Sequence, residues 1–352
     1  MLRTLTCTVL TASLVLAAAA DAAAQRKRSS WRDRVGLKHL DFKSDLVYPT
    51  TGKGVKRATY CVFLPRDYAA EQAKQRRYPV IYFLHGMFED SKRFFTQGGA
   101  PVLDKLVGDG VLPEHVFVCV DDTTRRSFYV NGKQMQIEDM ILKDLVPHIE
   151  KTYRVEKGRA HRALLGISMG GFGALKIAFK HPEFFGVVAT HSAAILPEKF
   201  GDVEKAFPWI RQYGNAARTI TSLFGDPVDE KLWAAENPLT LARQLTPEKL
   251  AGLKVYFDCG DRDRYNFEEP NTTLHKVLDR QKIPHHWKLV RGGNHGWRAG
   301  YNQRALPDSL RFIATVWRQK AATAGLSGLL GGKPAHENKG EKAGEAGKKD
   351  RP

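Results

Sequence analysis

The sequence is poor in cysteine, with four in 352 residues, and no two of them stand at metal-ligand spacing. A disulfide scaffold or a zinc finger is therefore excluded as the organising device. Long apolar runs are lacking too. The one candidate, residues 5–20 of "MLRTLTCTVLTASLVLAAAADAAAQ", is too short to cross a membrane and follows a single cation, Arg3. With Ala22, Ala23 and Ala24 after it, the segment predicts a signal peptide over residues 1–24. Export to a periplasm or beyond is expected, with no membrane anchor left after cleavage. Cys7 leaves with the signal. Cys61, Cys119 and Cys259 remain, each in a strand-like apolar run, and read as buried free thiols. Internal repeats are missing. So are aromatic platforms interleaved with cations, which excludes a specific nucleic-acid partner.

Positive charge is in excess, at a formal net +17. It concentrates in "QRKRSSWRDR" after the signal and "KGEKAGEAGKKDRP" at the end. Both are polar and aperiodic, and read as solvated basic segments at 25–37 and 321–352. A basic surface adheres nonspecifically to anionic polymers or membranes.

Between these ends, apolar residues are plentiful enough for a sizeable core. Short β-branched or aromatic runs predict strands at 39–48, 57–65, 78–86, 115–122, 162–168, 185–192, 253–260 and 285–293. Longer periodic stretches fall between. "IEDMILKDLVPHIEKTY" places Ile137, Met140, Ile141, Leu145 and Ile149 on one helical face, with a bend or restart expected at Pro147. "GALKIAFKH" predicts a short helix that ends before Pro182. The alternation predicts an α/β fold with a mostly parallel, eight-stranded twisted sheet and helices on both faces. The domain spans 38–320. Residues 193–250 are too long and too apolar for a loop, and predict a small helical insertion between the sixth and seventh strands.

Gly166-Ile-Ser168-Met-Gly170 fits G-x-S-x-G, with "RALL" before it as a strand and "GALKIAF" after it as a helix. That is the context of a nucleophile elbow, in which a sharp turn lifts a serine hydroxyl to the carboxyl edge of a sheet. A serine needs a base, and the base needs an orienting acid, in the chain order serine, acid, histidine. His295, in "VRGGNHGWRAG" after the last strand, is the candidate base. His191 ends the strand after the elbow and is expected to line the pocket. Asp261 and Asp263 lie past the end of "VYFDCGDRDRYNF", and Asp263 is preferred as the acid. Oxyanion donors are expected from the Met169 amide and, after the third strand, from the Met87 amide in His85-Gly86-Met87.

These residues resemble the esterase D-like branch of the α/β-hydrolases. That branch includes feruloyl and acetyl-xylan esterases, S-formylglutathione hydrolases, enterochelin esterases and mycolyltransferases of the antigen 85 type. The likeness covers about residues 59–317 and rests on "YFLHGM", "EDMILKDLVPHIEKTYRV", "LLGISMGGFGALKIAFKHPEFF", "DCGDRD" and "NHGW". It implies Ser168, Asp263 and His295 as a triad, and Met87 and Met169 as the oxyanion pair. It implies no metal and no organic cofactor. "DDTTRRSFYVNG" stands where relatives shape the pocket. Arg125 and Arg126 there either meet an acidic substrate group or pair at the surface. His85, Gly86, Phe128, Tyr129 and Trp297 are the expected substrate-binding residues, with ordinary packing the alternative for the aromatics. Glu138 is expected to serve as a cap or structural anchor. The expected activity is that of a secreted serine esterase on a small-molecule or polysaccharide ester, a carbohydrate ester first. An acyltransferase and a non-catalytic binding protein on the same scaffold are the alternatives.

Overall fold

The computed structural model describes residues 35–47, 57–70, 74–132, 135–211, 214–297 and 301–330. The expected signal peptide, most of the basic segment at 25–37, and residues 331–352 lie outside these.

Eight strands form one sheet: β1 (Val35–Lys43), β2 (Arg57–Phe63), β3 (Val80–Leu84), β4 (Val116–Val120), β5 (Arg162–Ile167), β6 (Val187–His191), β7 (Lys254–Gly260) and β8 (His285–Val290). Their spatial order is β1-β2-β4-β3-β5-β6-β7-β8. β1 and β2 pair antiparallel, as do β2 and β4, and every other pairing is parallel. Each expected strand is present. The first starts four residues earlier than its pattern suggested and ends at Lys43.

"VIYFL" in β3 is buried throughout because both faces of the sheet are covered. Its side chains alternate between two cores. Val80, Tyr82 and Leu84 face one, and Ile81 and Phe83 the other. The first core is closed by α2 (Val146–Thr152) and the π-helical turn Met140–Leu145 before it, by α3 (Met169–Lys180) and by α7 (Glu268–Arg280). The second is closed by α1 (Gly99–Gly108) and α8 (Leu306–Leu330).

Pro147 lies inside an unbroken helical run, since the backbone stays right-handed helical from the turn at Ile137 through Met140–Leu145 into α2. The wider π-helical turn directly before the proline is the irregularity expected where a proline lacks an N–H to give to the helix. All five apolar residues of the predicted face are buried.

The predicted insertion is helical, with α4 (Gly214–Phe224), α5 (Glu230–Glu236) and α6 (Pro238–Arg243). Asp229 caps α5 by accepting from the amides of Lys231 and Leu232, each at 3.0 Å. Asn237 caps α6. One boundary is corrected. The final helix does not stop near residue 320 but continues to Leu330. Its last turns are built of "AATAGLSGLL", in which alanine and leucine sustain helix despite two glycines.

Candidate active site

β3 is where the strand order reverses, with β4 on one side and β5 on the other. Ligands of open α/β sheets bind at the carboxyl ends of the strands at such a point. The segments leaving β3 and β5 there are Gly86-Met87 and Ser168-Met169.

Ser168 sits between β5 and α3 with φ 57° and ψ −120°, a conformation that is strained for any residue with a side chain. Its neighbours explain how the turn fits. A Cβ on Gly166 would lie 2.1 Å from the Gly170 carbonyl oxygen, and one on Gly170 would lie 2.0 Å from the Leu84 carbonyl oxygen. Glycine at both places lets the elbow fold on itself and press against the end of β3. The Ser168 amide donates to the His191 carbonyl at 2.9 Å, and the Ser168 carbonyl accepts from the Ala194 and Phe172 amides.

Ser168 Oγ lies 3.0 Å from His295 Nε2. His295 Nδ1 lies 2.8 Å from Asp263 Oδ2. A carboxylate only accepts, so Nδ1 carries the proton and the Nε2 lone pair faces the serine hydroxyl. Asp263 Oδ1 accepts from the Tyr265 amide at 2.9 Å. Burial pushes the Asp263 carboxyl up, but the hydrogen bond and charge of His295, with donors from Tyr265 and Ser192, outweigh it and hold the carboxyl below its usual value. Asp261 is exposed, so of the two candidates only Asp263 reaches the imidazole. The His295 ring stands edge-on to Tyr265 and Phe267, with centroids 4.7 and 5.4 Å away.

Met169 is the first residue of α3, so its N–H has no carbonyl within the helix to bond. In the β3 loop the Gly86 amide is held by Glu89 Oε2 at 3.0 Å, which leaves Met87 as the next amide along. A Cβ on Gly86 would lie 3.5 Å from Ser168 Cβ, so this loop runs directly beside the elbow.

These groups open into a cavity of about 710 Å³. Gly86, Met87, Phe128, Met169 and Trp297 line it with Ser168 and His295. His85 and Tyr129 do not, which corrects their expected role. Both are fully buried behind the wall. The Tyr129 hydroxyl donates to the His85 carbonyl at 3.3 Å, and His85 Nδ1 bonds the Gly86 carbonyl at 2.8 Å. They brace the β3 loop from behind. Trp297 has both roles, since it lines the cavity and packs on Phe83 and Phe94.

His191 is also corrected. It is buried away from the cavity, with Nδ1 2.9 Å from Asp258 Oδ2 and Nε2 2.9 Å from Ser309 Oγ. The Asp258 carboxylate further accepts from the hydroxyls of Tyr256 and Tyr301. This trio fastens α8 to the sheet and has no access to a substrate.

The loop after β4 is fixed by two carboxylates. Asp122 accepts from the amides of Arg125 and Ser127, and Asp121 from that of Thr123. Although His85, Asp121 and Asp122 cluster closely enough for a metal, both carboxylates are engaged by this loop. Arg125 pairs with Asp90 at 3.2 Å on the cavity rim, whereas Arg126 lines a separate small hollow.

Sequence reasoning missed the other wall. Phe207, Trp209 and Ile210 come from the insertion, and Tyr265, Phe267 and Arg264 from the loop after β7. "FPWI" was a signal of a kind, being an aromatic pair in a polar stretch. It missed too the charges beneath α3. Lys176 Nζ is fully buried and touches Glu138 Oε2 at 2.5 Å, Glu236 Oε2 at 2.6 Å and the Tyr129 carbonyl at 2.6 Å. Glu138 is thus an anchor and not a cap.

The chain is 32% identical over 153 residues to an endo-1,4-beta-xylanase/feruloyl esterase of Xylanibacter ruminicola, a match that covers 42% of this chain and 21% of that one. It is 26% identical over 177 residues to an acetyl esterase of Caldicellulosiruptor saccharolyticus, covering 49% and 62%. The chain therefore spans less than two thirds of the length of either curated relative. A solved ferulic acid esterase shares the fold at TM-score 0.64 and 24% identity, covering 81% of this chain and 99% of that one. Among the described residues, no helix is long and apolar enough to cross a membrane. The family model described as "Putative esterase" matches residues 55–313, and the chain belongs to that esterase family of α/β-hydrolase fold.

Proposed function

We propose that this protein is an exported serine hydrolase of carboxylic esters, with Ser168, His295 and Asp263 as its triad. The observation that carries the reading is the unbroken line from Asp263 through His295 to Ser168, at 2.8 and 3.0 Å, ending at the mouth of the cavity. Ser168 Oγ attacks the ester carbonyl carbon while its proton passes to His295 Nε2. The carbonyl oxygen becomes an anion and is held by the Met87 and Met169 amides, each worth about 10²–10³ in rate. The positive end of α3 favours the same charge. Collapse breaks the ester bond, and the leaving alkoxide takes the proton from His295. Water then repeats the sequence on the acyl-serine. Asp263 holds the imidazole tautomer throughout. No metal or organic cofactor enters these steps.

The substrate proposed is a carbohydrate ester with an aromatic acyl group. Phe128, Phe207, Trp209 and Tyr265 offer flat apolar surface around the serine, as a phenolic ring requires. The name of one relative, an endo-1,4-beta-xylanase/feruloyl esterase, points the same way. Export rests on the apolar start of the sequence, and argues against a cytosolic thioester substrate.

Ser168→Ala is expected to lower hydrolysis of p-nitrophenyl esters by at least about 10⁴-fold with an unchanged circular dichroism spectrum. Retained activity would remove Ser168 from its role. A wild-type protein that fails to label with a fluorophosphonate would point instead to a binding protein. Acylated sugar formed in the presence of an acceptor would point to transfer.

A further inference from the structure

Far from Ser168, at the amino-terminal end of edge strand β8, three side chains converge with the chemistry of a metal site. His275 and Asp279 are one helical turn apart on α7 and share a face. His285 is the first residue of β8. Their ligand atoms all lie within 4.8 Å of one another.

His285 is set up to ligate. Its Nδ1 donates to the Ile283 carbonyl at 2.8 Å, because a carbonyl only accepts. That fixes the tautomer and leaves the Nε2 lone pair free, as metal-binding histidines are ordinarily oriented. Its side chain is 3% exposed and its ring stacks on Phe257, so the lone pair is held in direction.

The lone pair points at His275 Nδ1, 2.7 Å away, and at Asp279 Oδ1, 3.8 Å away. Two atoms bound to one zinc ion at about 2.0–2.1 Å each lie no more than about 4.2 Å apart. Both separations fall inside that limit. In the absence of metal, Nδ1–H of His275 donates to His285 while the other nitrogen faces Asp279 Oδ2 at 3.4 Å. A divalent ion takes the place of that bridging proton, which leaves to solvent. The nitrogen pair must open from 2.7 Å to about 3.3 Å, the span of two such bonds at a tetrahedral angle. His275 is 32% exposed and Asp279 61%, so their side chains have room to move and water can complete the shell.

We propose that His275, Asp279 and His285 bind one borderline divalent cation, zinc being the fitting case, and clamp α7 to the start of β8. Two imidazoles and a carboxylate select such ions over magnesium or calcium, which prefer all-oxygen sites. The clamp is structural, because it sits at the opposite end of β8 from the loop that carries His295.

The test is zinc titration of tag-free, chelator-treated full-length protein, by calorimetry and by melting temperature. One ion per chain is expected, with a melting temperature that climbs with zinc concentration. His275→Ala and Asp279→Asn should each weaken binding about tenfold or more and abolish the climb, with ester hydrolysis unchanged. Asp279→Asn keeps the side-chain shape, and decides the matter if His275→Ala folds poorly. No zinc binding to the wild-type protein at millimolar metal, or wild-type affinity in Asp279→Asn, would leave the trio a hydrogen-bond cluster and overturn the proposal.

Discussion

Asp261 and Asp263 are two residues apart and chemically identical, yet only Asp263 turns inward. Its Oδ2 receives His295 and its Oδ1 the Tyr265 amide, while Asp261 stays in solvent. Asp263→Asn is expected to lower kcat by about 10²–10⁴-fold, since the amide presents the wrong partner to Nδ1. Asp261→Asn should change it less than about twofold. Steady-state kinetics of the two variants check this, and equal losses would leave Asp263 without a distinct role. Two aspartates two residues apart past a strand end look alike in one dimension. Which one the imidazole meets depends on a loop 32 residues further on.

At the scale of elements, α3 is held from below by charge. Lys176 and Lys180 on α3 meet Glu236 on α5 and Glu138 in the turn before α2. The elbow helix, the insertion and the pocket loop are thereby joined, the last through the Tyr129 carbonyl. Burial pushes the Glu138 carboxyl up, but Lys176, His181 and Lys180 together hold it far below its ordinary value of 4.5. A depressed folded pKa gives a contribution that is complete above the unfolded value and is lost as pH falls through the folded one. Glu138→Gln should therefore cost the most stability near neutral pH, about 3 kcal/mol for a broken buried pair. The gap from wild type should shrink as the pH drops below about 4.5, which urea unfolding at a series of pH values would show. A constant gap would mean that packing, not charge, carries the effect. The strands and helices themselves were legible because their signals are local. A buried parallel strand reads as a continuous apolar run, and a helix as a stripe. Proline at 147 announced the irregular helical turn before it for the same reason.

The whole molecule supplies what no single element does, a cavity closed from two sides. Sheet loops contribute Met87, Phe128 and Trp297, and the insertion folds over to add Phe207 and Trp209. The Trp209 indole donates to the Tyr265 carbonyl at 3.0 Å, and so ties the insertion to the loop that carries Asp263. Trp209→Ala is expected to raise KM for a feruloyl ester about tenfold, the worth of one good aromatic contact. KM for an acetyl ester should hardly move. Equal rises for both would show a general loosening of the site and no aromatic recognition.

The sequence by itself determined the fold class, the strand and helix positions, the elbow at Ser168 and the loop histidine. Each is encoded by residues within one or two turns of chain, where period, glycine and proline act directly. Only the tertiary structure decided that Asp263 and not Asp261 faces His295. It also placed His85, Tyr129 and His191 behind the site, buried Lys176 among carboxylates, and let the insertion build part of one cavity wall. Those outcomes are contacts between residues dozens of positions apart. They follow from how the sheet twists and what packs on it, and no local pattern carries that information.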